Sequence, residues 1–409
     1  MSTIVQINTT QNVGSHGRIA EQLGLKVIAQ GGVSYFAYGR TMLESASKSI
    51  KIGDTFSIRW HVLMTRLFDT HGLWSKRATR QFVRKLEEIK PDLVHLHNIH
   101  GYYLNYPILF EYLKKTEIPV VWTLHDCWPM MGHCSNPDNE GCERWKKECY
   151  DCPLKSKDYP QSFLFDNSRS NYQLKKHYFT SVDNLHIVTV SNWLKSIVND
   201  SFLKGKDTRV IYNGIDTELF RPTNSNLKGS LGIVGKFVIL AVSNVWWPIK
   251  GFDDFIKLAG KLNDDYRIVL IGVGDKELKQ LPSNIIGIPR TSNQAELVEY
   301  YSMADVVMSL SYQETFGLTI VEGMACGTPA IVYDRTATPE LVTPDTGIVA
   351  HAGDIDSVVN AILKIQQNGK TFYSSACRQR AVEHFNKDDR FQDYINLYNE
   401  LLNEKSCSR

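Results

Sequence analysis

Short apolar runs alternate along this chain with longer stretches in which apolar residues recur every three or four positions. In the first half the runs predict buried strands at Thr3–Asn8, Val33–Tyr38, Leu93–His97, Val120–Thr123 and His186–Val190. In the second half they predict strands at Thr208–Tyr212, Phe237–Val242, Tyr266–Ile271, Val306–Leu310 and Ala330–Tyr333. The longer stretches, such as Phe252 to Leu262 and Gln294 to Ser302, predict amphipathic helices between them. Alternation of this kind gives parallel sheets covered by helices on both faces. The pattern restarts after residue 205, in a polar segment containing Gly205. The reading is an α/β chain of two doubly wound, Rossmann-like domains in tandem, 1–205 and 206–388, with a closing helical segment at 389–409.

The 409 residues suffice for two or three domains that each bury a core, and 43% apolar with 22% charged residues is the balance of a globular protein. No apolar run reaches the length of a membrane span. The opening Met1-Ser-Thr-Ile-Val-Gln-Ile-Asn8 lacks the basic start and apolar centre of a secretory signal, so a cytoplasmic location is expected. A formal charge of +2 sets up no general field for nucleic acid. The charge is uneven, however. Arg59, Arg66, Lys76, Arg77, Arg80, Arg84 and Lys85 stand against Asp69 alone before Glu87, with Trp60, Leu63, Leu67, Phe68, Leu73 and Trp74 among them. Either this is a surface resting on anionic lipid headgroups at the cytoplasmic face of a membrane, or it is a solvated helical face backed by core side chains. The second, plainer reading is the working expectation.

The densest chemical signal is Glu314-Thr-Phe-Gly-Leu-Thr-Ile-Val-Glu322, followed by Gly-Met-Ala-Cys-Gly327-Thr-Pro. A helix can begin at Phe316-Gly317, which puts Glu322 between one and two turns along it, and Gly327 can end it. Such a helix start aims free N–H groups, and the positive end of its dipole, at whatever lies beside Glu314. An anionic diphosphate suits the amides, and the carboxylates can accept hydrogen bonds from sugar hydroxyls. A ligand carrying both is a nucleotide sugar. With Ala304-Asp305-Val-Val-Met-Ser-Leu-Ser311 before it, this stretch resembles the paired-glutamate signature of retaining glycosyltransferases of family 4. The segment Val210-Ile-Tyr-Asn-Gly-Ile-Asp-Thr-Glu-Leu-Phe-Arg-Pro222 resembles that family's entry into its second domain.

The resemblance implies the GT-B fold, in which two Rossmann-like domains face a cleft and the C-terminal helix crosses back to the first domain. It also assigns roles by position. Glu314 would hold donor sugar hydroxyls, the Phe316, Gly317 and Leu318 amides the diphosphate, and Glu322 the ribose. Lys250, which with Gly251 opens the helix at Phe252, would neutralise the departing diphosphate. The family's usual arginine five or six residues earlier is replaced here by Asn244 and Val245, and Arg18 and Arg290 are candidates for the missing cation. Gly14 and Gly17, after the first strand, and Gly272, in the turn Gly272-Val-Gly274-Asp275, would sit near the donor. His125 would lie beside the donor sugar, with Asp126 fixing its tautomer or capping a turn. His95, His97 and His100 are read as packing. Asp354-Ile-Asp356 is read as a helix cap, and no catalytic metal is expected.

Cys134, Cys142, Cys149 and Cys152 fall close together in an insert at 127–153. Disulfides are disfavoured in a reducing compartment. A structural four-thiolate zinc site is the expected reading, with an iron–sulfur cluster and four unpaired thiols as alternatives. Cys127, Cys326, Cys377 and Cys407 read as isolated thiols. The expected function is transfer of a sugar from a UDP- or GDP-linked donor to a hydroxyl of a growing, lipid-linked or free glycan in bacterial polysaccharide assembly, with retention at the anomeric carbon (class EC 2.4). The alternatives are a sugar-nucleotide epimerase or hydrolase of the same fold, and a non-catalytic glycan- or membrane-binding module.

Overall fold

The computed structural model describes residues 2–407, apart from the side chains of Asn139, Ser406 and Cys407. The isolated-thiol reading of Cys407 therefore lies outside the described residues. Contacts divide the chain into two units: residues up to Ile211 with those from Phe391 onward, and Tyr212–Arg390.

The first unit is built on β1 (Thr3–Asn8), β2 (Val33–Tyr38), β3 (Lys48–Lys51), β4 (Leu93–Leu96), β5 (Val120–Leu124), β6 (Leu185–Thr189) and β7 (Thr208–Val210). They form one sheet in the order β3-β2-β1-β4-β5-β6-β7, every neighbouring pair parallel. Strands covered on both faces need continuous apolar runs, and β4 and β5 are buried at every position. β7 corrects the sequence reading. It was expected to open the second half, yet it pairs with β6 and closes the first sheet. One helix face of this unit comes from the far end of the chain. In the helix Lys387–Cys407, Phe391, Tyr394, Ile395, Leu397, Tyr398 and Leu401 join Ile4, Leu23, Val27, Leu93, Val121 and Val188 in one core. Burying six such side chains is worth on the order of 10 kcal/mol before entropy is counted.

The second unit holds β8 (Phe237–Val242), β9 (Tyr266–Ile271), β10 (Ile285–Ile288), β11 (Val306–Ser309), β12 (Ala330–Tyr333) and β13 (Gly347–Ala350). Its sheet runs β10-β9-β8-β11-β12-β13, again all parallel. The order reverses between β8 and β11, so the carboxyl ends of these two strands flank a topological switch point, where ligands of such sheets bind. In the first unit the corresponding reversal lies between β1 and β4.

Candidate active site

At the switch point of the second unit the chain after β8 meets the chain after β11. The turn Pro248–Lys250 ends at Gly251, whose φ of +74° suits glycine. A Cβ there would lie 2.1 Å from the Leu310 carbonyl oxygen, so only glycine lets the two loops touch. Tyr312 N–H donates to the Ile249 carbonyl at 2.8 Å, and the Ser311 hydroxyl donates to the same oxygen at 3.2 Å. These links bring Lys250 and Glu314 together, with Lys250 Nζ donating to Glu314 Oε1 at 2.6 Å. Both side chains keep about a quarter to a third of their surface in water, 30% and 24%. The pair is therefore accessible to a ligand.

Glu314 is fixed by its backbone. Its N–H donates to Thr336 Oγ1 at 2.9 Å, and its carbonyl accepts from Ala337 N–H at 3.2 Å. The helix after it spans Leu318–Ala325 with Gly317 at the cap, φ +111°. Phe316 is buried against Tyr212 and Phe385, which anchors the approach to that helix start. Glu322 lies one turn along, and one of its oxygens accepts from the buried Tyr301 hydroxyl at 2.8 Å. Gly327 follows with φ +74°, and Thr328 N–H returns to Gly323 O at 3.0 Å, closing the helix as its sequence indicates.

A brace that sequence reasoning missed stands beneath this loop. Asp254, buried in the helix Phe252–Ala259, accepts from Tyr312 at 2.6 Å, Tyr333 at 2.9 Å and Lys257 at 2.8 Å. Burial alone would raise its carboxyl, but those three donors outweigh it and hold the group below its usual value. Of the other residues singled out, Gly272 follows β9 and packs flat on the turn after β8, where a Cβ would reach within 1.6 Å of the Ser243 carbonyl oxygen. Asn244 is exposed in that turn, and Arg290 is exposed after β10. Asp354 caps the helix Ile355–Asn368 by accepting from Asp356 and Ser357 N–H.

In the first unit, Gly14 opens a helix that runs to Ala29 directly after β1, and Gly17 packs closely on Thr10. Arg18 is exposed on that helix. His125 stands just past β5, and one of its partners is another imidazole. His125 Nε2 lies 3.2 Å from His97 Nδ1, while Asp126 holds His100 Nε2 at 2.8 Å and caps the turn at Trp128 N–H. The tautomers follow from one fixed acceptor. Gln6 Nε2 donates to the Ala20 carbonyl at 2.8 Å, which leaves its Oε1 to accept from His97 Nε2 at 3.1 Å. A neutral His97 then has only Nδ1 as an acceptor, and this takes the Nε2 proton of His125. Burial, with the neighbouring imidazoles, holds both rings well below the usual histidine range, so they are neutral near pH 7. His16 is the second nearby ring, 5.9 Å from His125, and is pushed down to about 4 mainly by burial. The one sequence clue to this relay is a glutamine inside the apolar run of β1.

The four clustered cysteines are all described, and among the described residues no three His, Cys, Asp or Glu side chains are gathered to hold a metal ion. Cys134 hydrogen-bonds Cys152, and Cys149 Sγ accepts from Gly132 N–H at 3.2 Å. Neighbouring His133 is engaged with Asp69. Cys134 also senses Cys149, and Cys149 senses Cys152 and Cys142, so the four thiols lie near one another.

Comparison with known proteins bears on the same residues. The model of the family described as Glycosyltransferase Family 4 matches residues 33–219, and that described as Glycosyl transferases group 1 matches 224–382. The putative colanic acid biosynthesis glycosyl transferase WcaC of Escherichia coli K12 is 24% identical over 97% of this chain and all of its own length. N-acetyl-alpha-D-glucosaminyl L-malate synthase of Bacillus anthracis is 25% identical over 53% of this chain and 60% of its own. Among solved structures, sucrose-phosphate synthase from Thermosynechococcus elongatus superimposes with a TM-score of 0.74 at 17% identity, covering 99% of this chain and 100% of that one. Anabaena HepE, crystallised with UDP, gives 0.68 at 16% identity, covering 98% and 100%. With both halves matched in sequence and both sheets matched in fold, the chain belongs to the family 4 glycosyltransferases of GT-B type.

Proposed function

We infer that the protein moves a sugar from a UDP- or GDP-linked donor to a hydroxyl of a growing glycan, with retention at the anomeric carbon. The observation that carries this is the meeting of the Lys250 ammonium and the Glu314 carboxylate at a switch point, beside the start of the helix bearing Glu322. The roles follow from charge. Lys250 and the amides at Phe316, Gly317 and Leu318 face the diphosphate, and preorganised positive charge of this kind does most to stabilise a leaving group. Glu314, once its ammonium partner turns to the phosphate, accepts hydrogen bonds from donor sugar hydroxyls. Glu322 accepts from the ribose while keeping its contact with the Tyr301 hydroxyl. The bond from the anomeric carbon to the phosphate oxygen breaks while the acceptor oxygen bonds to that carbon on the same face. The acceptor proton passes to the departing phosphate oxygen.

The relatives' names support the class of donor and product: HepE was crystallised with UDP, and WcaC is named for colanic acid biosynthesis. Surface polysaccharide assembly is therefore the context proposed for this chain. Calorimetric titration with a panel of uridine and guanosine diphosphate sugars tests the reading. One nucleotide should bind tightly to the parent and at least tenfold more weakly to Glu322→Ala, since each lost ribose hydrogen bond to a charged group is worth about 1.5–3 kcal/mol. Equal binding by parent and variant would remove Glu322 from the site, and binding by none of the panel would remove the donor class.

A further inference from the structure

The helix Thr55–Phe68 is turned inside out. Its two buried residues are the polar His61 and Thr65, while Phe56 is 77% exposed, Trp60 45% and Leu63 47%. A helix on a soluble surface does the opposite, pointing its apolar stripe inward. The inversion has a local cause. His61 is recruited to the interior as a hydrogen-bonding post, with Nδ1 2.9 Å from Ser75 Oγ and Nε2 accepting from Gly72 N–H at 3.0 Å. The face opposite it, with Phe56, Trp60 and Leu63, is left in water.

A second segment, distant in sequence, adds exposed apolar surface at the end of this helix. Phe163 N–H donates to the Arg66 carbonyl at 2.8 Å and Phe165 N–H to the Leu67 carbonyl at 3.3 Å, which ties residues 163–165 along the helix's last turn. Phe163, Leu164 and Phe165 are all exposed, and the Phe165 ring stacks on exposed Phe68 at 5.6 Å. Seven large apolar side chains are thus exposed on this helix and on the segment tied to its end, and exposed apolar surface of this extent marks interaction sites. Cations lie along it and beside it. Arg59 and Arg66 are exposed on the same helix, and Lys76, Arg77, Arg80, Arg84 and Lys85 are exposed on the helix Lys76–Ile89, which Ser75 joins to the first through Ser57 and His61. The single acid between residues 55 and 86, Asp69, is buried on His133. Asp166, at the end of the aromatic segment, turns its carboxylate onto Cys152 N–H and Ser168 N–H.

We propose that this face docks on the headgroup layer of an anionic lipid bilayer, with Phe56, Trp60, Leu63, Phe163, Leu164 and Phe165 entering the interface and the arginines and lysines meeting lipid phosphates. Charge complementarity selects the occupant. A second copy of this chain packed face to face would bring two basic clusters together, whereas a bilayer bearing negative headgroups satisfies both the rings and the cations. This accounts for aromatic side chains held in water by a helix that had polar residues to spare for the outside. It corrects the expectation that Trp60, Leu63 and Phe68 back the helix as core. The proposal does not require the transferase reading.

Flotation of the full-length protein with unilamellar vesicles tests it. The parent should float with vesicles containing phosphatidylglycerol, stay behind with pure phosphatidylcholine, and be released by high salt. Replacing Phe163 and Phe165 together by Ser, or Arg59 and Arg66 together by Gln, should each lower the bound fraction about tenfold or more. All four side chains are exposed, so thermal melting and calorimetric binding of UDP or GDP should match the parent. Equal flotation with neutral and anionic vesicles, or flotation unchanged in both variants, would overturn the proposal. So would light scattering that finds a dimer in the parent and a monomer in the aromatic variant while vesicle binding stays the same.

Discussion

Replacing Lys250 by Met separates a structural ion pair from a site that awaits a diphosphate. The Lys250–Glu314 pair spans 2.6 Å with both side chains partly in water, and such pairs contribute about 0.2–1 kcal/mol to folding. Loss of the pair should therefore move the melting temperature by no more than about 4 °C. Against a bound diphosphate the same ammonium is worth about 1–4 kcal/mol at 4 Å, depending on the local dielectric. Part of that is offset because Glu314 must give the ammonium up, so a loss near 1.4–2 kcal/mol is expected, about a ten- to thirtyfold weaker Kd. Isothermal titration with UDP or GDP, whichever binds the parent, and with the corresponding nucleoside, provides the assay. Lys250→Met should weaken the diphosphate and leave the nucleoside unchanged. Glu314→Gln should do the reverse, tightening the diphosphate by freeing the ammonium while abolishing sugar transfer. If diphosphate and nucleoside affinities fell together in Lys250→Met, or neither moved in a folded variant, the lysine would not face the phosphates and the assignment of this corner would fail.

Three further outcomes follow from the geometry. His16, half-buried and pushed down to about 4, and the buried His61 and His95, each pushed to about 3, refuse protons in the fold that the unfolded chain takes up below pH 6.5. The contribution of these rings to the stability of the first unit should be level above pH 7 and fall by roughly 2 kcal/mol per histidine between pH 7 and 5, a loss that would be missing from denaturation curves if these rings charged in the fold. Gly272→Ala adds a Cβ 1.6 Å from the Ser243 carbonyl at φ +88° and should cost more than about 3 kcal/mol, whereas Gly14→Ala, with open space at φ +71°, should cost about 1–2 kcal/mol; equal melting of the two would contradict the contacts. Gln6→Leu removes the acceptor that orients His97, so nitrogen chemical shifts should show the Nε2-protonated form of His125 in the parent and a mixture in the variant; identical tautomers in both would dismiss the relay.

The residues differ in how far their neighbours along the chain betray them. The span from Glu314 to Gly327 could be read directly because its chemistry is local: the cap, the turn between the glutamates and the stop lie on one helix and its flanks. The strands β1, β2, β8, β9 and β12 announce themselves by unbroken apolar runs. The edge strands β3, Lys48–Lys51, and β13, Gly347–Ala350, do not, since each presents few buried positions. Contacts across strands leave no periodic trace, which hid both Asp254 beneath Tyr312 and Tyr333 and the path from Gln6 to His125. The helix Thr55–Phe68 misled for another reason. Periodicity separates two faces but does not say which one the sheet will cover, and the polar pair His61 and Thr65 went inside.

The return of the last helix to the first sheet has a consequence for how the protein is made. Ile4, Leu23, Val27, Leu93, Val121 and Val188 leave the ribosome early, yet the side chains that cover them, from Phe391 to Leu401, emerge only after the whole of the second unit. The second unit is free to close sooner, because its entry and exit are joined at Ile215 and Asn386. The domain synthesised first is thus finished only after the second, and its uncovered apolar face should make the nascent chain depend on a holding chaperone until the segment from Phe391 to Leu401 has emerged.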